Sequence, residues 1–153
     1  MPIVMNPRHV HYHERVERSA PQKVAITLGL SFLVIGLVGV MVPGFMGMHL
    51  SVAHNLFHIL SGMVAIWCGF ANTNKAFNFC LIFGALYGAL GIAGYLIGEP
   101  GFPAFGHMEA DQNLFRAIPN VLEFGTMDHM VHILIGAFLI FTTYTYRHER
   151  RRK

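Results

Sequence analysis

The sequence predicts an all-helical protein, a bundle of four transmembrane helices. Hydrophobic residues make up 54% of the chain and charged residues only 12%, whereas soluble domains carry about 25% charged residues. The few charges leave long uncharged stretches, and about 20 apolar residues in a helix cross the roughly 30 Å of hydrocarbon in a bilayer. Because lipid offers no hydrogen-bond partners to the backbone, each crossing must be helical.

The spans follow from the positions of the charged residues. No Asp, Glu, Lys or Arg stands between Lys23 and Lys75, and this run must contain two crossings because Pro43 and Gly44 interrupt it. A second uncharged run extends from Lys75 to Glu99, and a third precedes the basic C-terminus. The predicted spans are Val24 to Val42, Leu50 to Phe70, Phe77 to Ile97, and Asp128 to Tyr146.

The basic residues predict the topology. They concentrate in an N-terminal arm (residues 1–22), at Lys75 and in a C-terminal tail (residues 147–153). The charged residues of the loop 98–127, by contrast, are mainly acidic. By the positive-inside rule, both termini are expected in the cytoplasm and the acidic loop outside. The membrane domain is then residues 23–146. The basic ends are explained by topology, and we expect no nucleic-acid partner.

An internal repeat organises the membrane domain. The pattern His-Ile-Leu-x-Gly occupies residues 58–62 and again residues 132–136. Upstream of each copy, paired glycines precede a Pro-Gly step, in residues 36–44 and in residues 91–101. The chain therefore reads as a duplicated helical hairpin. Equivalent residues of the two copies are expected to face each other across an axis along the membrane normal.

Small residues are expected to bring the helices together. Lipid supplies no hydrophobic drive between helices, so close packing at glycine becomes the main source of association. The third span carries glycines three or four residues apart, on one helical face. The predicted packing residues are Asn55, Gly62, Gly84, Gly88, Gly91, Gly94 and Gly136.

Polar side chains at membrane depth mark a candidate site. In the second span His54, Asn55 and His58 share one helical face. In the fourth span Asp128, His129 and His132 have the same spacing. Such side chains are costly in lipid and should point towards partners inside the bundle.

Three interpretations of this polar cluster remain open. In the first, the side chains hydrogen-bond across the bundle, His132 to Asn55 or His58 to Asp128. In the second, the cluster binds a divalent metal such as Zn or Cu. The proposed metal ligands are His54, His58, Asp128, His129 and His132, with His49, His107 or Glu123 as additional loop ligands. In the third, His58 and His132 together bind a haem, or one of them binds a chlorophyll-type pigment.

Two further segments give weaker signals. The arm contains His9, His11 and His13, which are expected to be solvated near lipid headgroups. The loop 98–127 is too apolar for a free linker. We expect it to fold over the outer mouth of the bundle, with a short amphipathic helix from Asp111 to Ala117, or to dock on a partner subunit.

The sequence contains no catalytic motif: no phosphate-binding loop, nucleophile elbow or His-Glu-x-x-His pattern is present. We therefore expect a protein that is not an enzyme, a structural or accessory subunit of a larger membrane complex or of a homo-oligomer. The alternative is a membrane protein that binds a metal, a haem or a pigment through the histidine cluster.

The helices also resemble a known family. The pattern His-Asn-x-x-His-x-x-x-Gly in the second span, the glycine-rich third span with Tyr87, and Asp-x-x-x-His-x-x-x-Gly in the fourth resemble small bacterial membrane proteins catalogued as domain of unknown function 4383. The resemblance covers about residues 24–146. It implies a four-span protein of the bacterial inner membrane and no assigned activity. Its signature positions are His54, Asn55, His58, Gly62, Asp128, His132 and Gly136.

Overall fold

A computed structural model describes residues 17–106 and 109–152. It contains four long α-helices: α1 (Ala20–Met41), α2 (Val52–Ala71), α3 (Thr73–Ile97) and α4 (Thr126–Arg152). All four are long and apolar enough to cross a membrane, as expected of an integral membrane protein. The predicted histidine arm lies mostly outside the described residues.

The helix ends differ from the predicted spans by a few residues. The third helix begins at Thr73 instead of Phe77, because the Asn72 side chain accepts a hydrogen bond from the Lys75 amide at 2.9 Å and caps the first turn. Lys75 then turns back, with its ammonium 4.2 Å from the centre of the Trp67 ring. The fourth helix continues beyond Tyr146 to Arg152.

The helices are arranged as two tightly packed pairs, α1 with α2 and α3 with α4. A Cβ on Gly29 would lie 2.7 Å from the Gly62 carbonyl oxygen, and a Cβ on Gly136 would lie 2.5 Å from the Gly88 amide nitrogen. Both distances are too short for any side chain. The helix backbones therefore approach closely at glycines in these two crossings.

The two pairs meet over a core near Asn72, the residue that joins α2 to α3. It is built from small and aromatic side chains: Ala25, Ala65, Cys68, Ala76, Phe79, Cys80 and Leu139. Both cysteines are free and buried, which fits their small size and apolar surroundings. We call this end of the bundle the Asn72 end.

The opposite end is covered by a small antiparallel sheet, and we call it the sheet end. Its strands are β1 (Glu99–Gly101), β2 (Asp111–Ile118) and β3 (Leu122–Phe124), in the order β1-β2-β3. Leu114 and Phe124 are buried beneath the sheet. The loop therefore folds over one end of the bundle, as one of the two expectations had it.

The predicted short helix from Asp111 to Ala117 is wrong, because these residues form β2. The turn after Ile118 explains the difference. Asn120 adopts a left-handed conformation with φ of 61°, which Asn tolerates better than most residues, and the chain reverses there. β3 then pairs with β2, with Ile118 opposite Leu122. The fold is thus helical in its membrane spans and carries a sheet outside them.

Candidate metal centre

Three histidines converge between the two helix pairs near the sheet end. His54 and His58 lie one turn apart on α2, and His132 lies on α4. One ring nitrogen from each lies within 4.8 Å of those of the other two. Their exposed fractions are only 3%, 5% and 3%. The structure therefore brings three of the five predicted metal ligands together in the interior.

Several nitrogens of these rings lack hydrogen-bond partners. His54 Nδ1 lies 3.0 Å from the His49 carbonyl oxygen; because a carbonyl only accepts, Nδ1 donates and Nε2 carries the lone pair. His54 Nε2 is buried without a hydrogen-bond partner, as are His58 Nδ1 and His132 Nδ1. Buried polar groups are nearly always paired, so this concentration of orphaned nitrogens calls for an explanation.

Aromatic rings hold the three imidazoles in place. Phe32 of α1 stacks on His58 with ring centres 5.5 Å apart, and Tyr87 of α3 sets its ring edge-on to His132 at 5.0 Å. Phe124 of β3 contacts His54 at 4.9 Å and His132 at 5.5 Å. All four helices and the sheet thus contribute to the site.

Asp128 stands behind His54 and outside the three-nitrogen cluster. Its Oδ2 accepts hydrogen bonds from the His49 amide at 3.1 Å and from the Gly125 amide at 2.8 Å. Its Oδ1 lies 3.9 Å from His54 Nδ1, the nitrogen that also faces the His49 carbonyl. Although predicted as a ligand, Asp128 therefore contacts His54 from outside the cluster.

His129, the fifth predicted ligand, points away from the cluster. Its ring packs on Gly94, and its Nε2 lies 2.7 Å from the Asn113 carbonyl oxygen. His129 therefore joins α4 to α3 and β2. Gly94 is needed there because a Cβ would overlap the imidazole.

Two of the proposed loop ligands, His49 and Glu123, lie outside the three-nitrogen cluster. His49 is buried with its Nε2 3.7 Å from Asp111 Oδ2. Glu123 accepts hydrogen bonds from the Ala104 amide at 2.7 Å and the Asn120 amide at 3.0 Å. Its carboxylate therefore stabilises the backbone of the loop 98–127. His107 lies outside the described residues.

The predicted hydrogen bonds across the bundle are not formed within the described part of the chain. Asn55 donates to the Leu50 carbonyl at 3.1 Å instead of binding His132. His58 Nδ1 has no hydrogen-bond partner, and the Asp128 carboxylate is engaged with backbone amides. A purely structural role as a hydrogen-bonded seam therefore fails to account for the three histidines.

The geometry also argues against a macrocycle between His58 and His132. A haem held by two histidines has one imidazole on each face of a flat ring. A third imidazole nitrogen, that of His54, lies within 4.8 Å of both others. It would occupy the space of the macrocycle, so one ion fits this cluster better than a haem held by His58 and His132.

A cavity of about 340 Å³ lies against the cluster. The three histidines form one wall, and apolar side chains of α2, α3 and the sheet form the others. The lining residues are His54, Phe57, His58, Ser61, Phe83, Leu86, Tyr87, Leu90, Ala117, Leu122, Phe124 and His132. An ion bound to the imidazoles would therefore have free space on one side.

Asp111 ties the sheet to the start of α4. Burial acts to raise the pKa of its carboxyl, but hydrogen bonds from the Asn113 amide and from the amide and hydroxyl of Thr126 outweigh burial, so the pKa lies below its usual value. A carboxyl with a lowered pKa in the folded state stabilises the fold above its ordinary pKa. That contribution is lost as the pH falls through the folded-state pKa.

We therefore expect Asp111→Asn to destabilise the protein at pH 7 by about 0.5–2 kcal/mol, the range for losing a helix cap. Below about pH 4, where an unperturbed Asp begins to protonate, the difference from wild type should shrink. Thermal unfolding in detergent at several pH values measures this. Glu99→Gln, at an exposed side chain on β1, is the control, and an equally large effect there would contradict the assignment.

Searches against protein-family models, curated proteins and solved structures found no match to this chain. The resemblance to domain of unknown function 4383 therefore stays a prediction.

Sequence reasoning missed several residues of the site. Phe32 and Phe124 pack on the imidazoles, and the His49 carbonyl sets the tautomer of His54. No signal in the sequence distinguishes Phe32 from other phenylalanines in an apolar span. His49 carried a detectable signal, since it is a histidine near the predicted cluster, but its backbone makes the contact.

Proposed function

We propose that this chain is an integral membrane metal-binding protein in which His54, His58 and His132 hold one transition-metal ion. The observation that carries the proposal is the convergence of three buried ring nitrogens within 4.8 Å. Three nitrogens bound to one Zn²⁺ at about 2.0–2.1 Å lie about 3.4 Å apart. The nitrogens therefore need to approach one another by at most about 1.4 Å to form the site.

The energetics favour a bound ion over an empty cluster. Each buried polar atom left without a partner costs about 1–3 kcal/mol, and this cluster contains three such nitrogens, on His54, His58 and His132. Coordination gives a lone pair of each imidazole a partner. The cost of burying the polar groups is then offset by the bonds to the metal.

The donor set indicates the kind of metal. Neutral imidazoles suit Zn, Cu, Fe and Ni, whereas Mg and Ca prefer oxygen ligands. Histidine ligands of metals usually donate a hydrogen bond from their other ring nitrogen to a carboxylate or a carbonyl. The Nδ1 of His54 faces the Asp128 carboxylate and the His49 carbonyl in this way. Three protein ligands leave a fourth position open, as in catalytic zinc sites.

We also propose that the molecule is a duplicated hairpin whose termini lie in the cytoplasm of a bacterium. Two equivalent contacts support the duplication: a Cβ on Gly36 would lie 2.9 Å from the Asn55 carbonyl oxygen, and one on Gly91 would lie 2.6 Å from the His129 carbonyl oxygen. The basic residues at the ends of the chain support the orientation. The accessory-subunit role stays a prediction.

Metal analysis of the purified protein tests the proposal. Protein in mild detergent, stripped with chelator and dialysed against Zn²⁺ or Cu²⁺, should retain about one ion per chain. His58→Ala and His132→Gln should each lower the affinity by more than the 10–100-fold that loss of an orienting partner typically costs. Circular dichroism and gel filtration verify that each variant stays folded.

Matched controls separate the site from other histidines. All proteins in this test carry Ala at His9, His11 and His13, so that the arm binds no metal. His148→Ala, on the same helix as His132 but outside the cluster, should leave the stoichiometry at one. A folded wild type that retains no ion would refute the proposal, as would His58→Ala and His132→Gln variants that bind the ion as tightly as wild type.

A further inference from the structure

The cavity beside the histidines lies between the two helix pairs and under the sheet. Phe57 of α2 and Leu86 and Leu90 of α3 line its sides, and Leu122 and Phe124 of β3 close its top. Its walls are almost entirely apolar, and none of its lining side chains is Asp, Glu, Lys or Arg. An ionic ligand would lose its hydration there and find no charged side chain in the lining to compensate.

The mouth of this cavity opens sideways, towards lipid. Phe57 and Leu86 are each 59% exposed, whereas Phe124 is 4% exposed. Both exposed residues belong to membrane-spanning helices. α2 and α3 pack on each other far less extensively than either packs on its own pair partner. The cavity is therefore reached from between α2 and α3, through a gap flanked by side chains that face acyl chains.

The mouth lies in the half of the bundle nearer the sheet end. Phe57 is five residues from the first residue of α2, and Leu86 is eleven residues from the last residue of α3. At 1.5 Å per residue, these positions are about 8 Å and about 16 Å below the sheet end. Since the hydrocarbon is about 30 Å thick, the opening extends from the leaflet next to the sheet to about the bilayer midplane.

We propose that this cavity binds a small lipid-soluble molecule that enters from the leaflet and presents one neutral nitrogen or oxygen donor to the ion held by the three histidines. The volume of about 340 Å³ is at the lower end of small-molecule sites. It suits a single ring with a short alkyl chain. The entry route stands on the cavity alone, and the coordination to metal rests on the function proposed above.

Photolabelling without metal tests the entry route. The metal-free protein, in phosphatidylcholine nanodiscs, is exposed to a phenyl diazirine dissolved in the lipid, and labelled residues are identified by mass spectrometry. We expect labels on Tyr87 and on the buried Phe124, and excess butylbenzene should compete with them. Leu96, which is 77% exposed, should be labelled without competition.

A mouth-blocking variant sharpens the test. Leu86→Trp should lower labelling of Phe124 about tenfold, since a clash of about 1.4 kcal/mol is a factor of ten in binding. Leu96→Trp, on the same helix but away from the cavity, should change nothing. Labels confined to the helix exteriors, or Phe124 labelling that neither butylbenzene nor Leu86→Trp reduces, would overturn the lateral entry.

Copper spectroscopy tests the metal end. In the Cu²⁺-loaded protein, electron paramagnetic resonance should show three nitrogen ligands, and a lipid-soluble alkylimidazole should add a fourth. Imidazole in water at the same total concentration should add it much less, and Leu86→Trp should block the alkylimidazole. Equal responses to the two imidazoles would refute entry from lipid. Failure to bind copper would refute the metal site while the photolabelling still decides the route.

Discussion

Replacing Gly136 by alanine is expected to destabilise the bundle strongly, whereas replacing Gly88 by alanine should be tolerated. The two glycines meet at the crossing of α3 and α4. A Cβ on Gly136 would lie 2.5 Å from the Gly88 amide nitrogen and 2.7 Å from Gly88 Cα, but the nearest atom to a Cβ on Gly88 is Gly136 Cα at 3.9 Å. The first contact requires backbone to move, and the second is ordinary packing.

The size of this effect follows from overpacking. An extra methyl forced into a filled interface costs about 1–3 kcal/mol, and here the obstacle is another helix backbone instead of a rotatable side chain. Unfolding in mixed micelles with increasing denaturing detergent measures the difference. Since both substitutions add one methyl to one crossing, Gly88→Ala is a matched control. Equal losses for both variants would contradict the described register of α3 on α4.

Asp128 is expected to have two separable roles, which two substitutions distinguish. Asp128→Ala removes the acceptor of the His49 and Gly125 amides, leaving two buried N–H groups that cost about 1–3 kcal/mol each. This variant should therefore be strongly destabilised. Asp128→Asn keeps one carbonyl oxygen for these amides and should remain folded, with most of the wild-type stability.

The asparagine variant tests the orienting role. It removes the negative charge 3.9 Å from His54 Nδ1, so the affinity for Zn²⁺ or Cu²⁺ should fall about 10–100-fold, the usual effect of losing a carboxylate behind a histidine ligand. Competition with a coloured chelator measures this fall. An Asp128→Asn protein that is folded and binds metal as tightly as wild type would rule out the orienting role.

The helical part of the fold was accessible from sequence because a single physical constraint, backbone hydrogen bonding in lipid, determines it. Uncharged runs located all four helices, and the spacing of His54 and His58 correctly put both rings on one face. The position of His132 beside them followed from the repeat. These inferences use local periodicity and similarity within the chain, which a single sequence contains.

The sheet and the details of the site depend on contacts between distant residues. Most of the strand Asp111–Ile118 was predicted to be helical. Its pairing with Leu122–Phe124 depends on the chain reversal at Asn120, which local periodicity does not reveal. The orientations of Asp128 and His129 were equally inaccessible. Both lie at the start of α4, and their directions are set by amides and carbonyls of other segments.

The one-residue connection at Asn72 affects how the two helix pairs can move relative to each other. Asn72 is the single residue between α2 and α3, so a very short connection joins the two glycine-packed helix pairs at this end. His54 and His58 belong to the α1–α2 pair, and His132 belongs to the α3–α4 pair. An ion bound to all three histidines would therefore link the two pairs: we expect its binding to draw them together at the sheet end, and a bulky guest that separates them to weaken the binding of the ion.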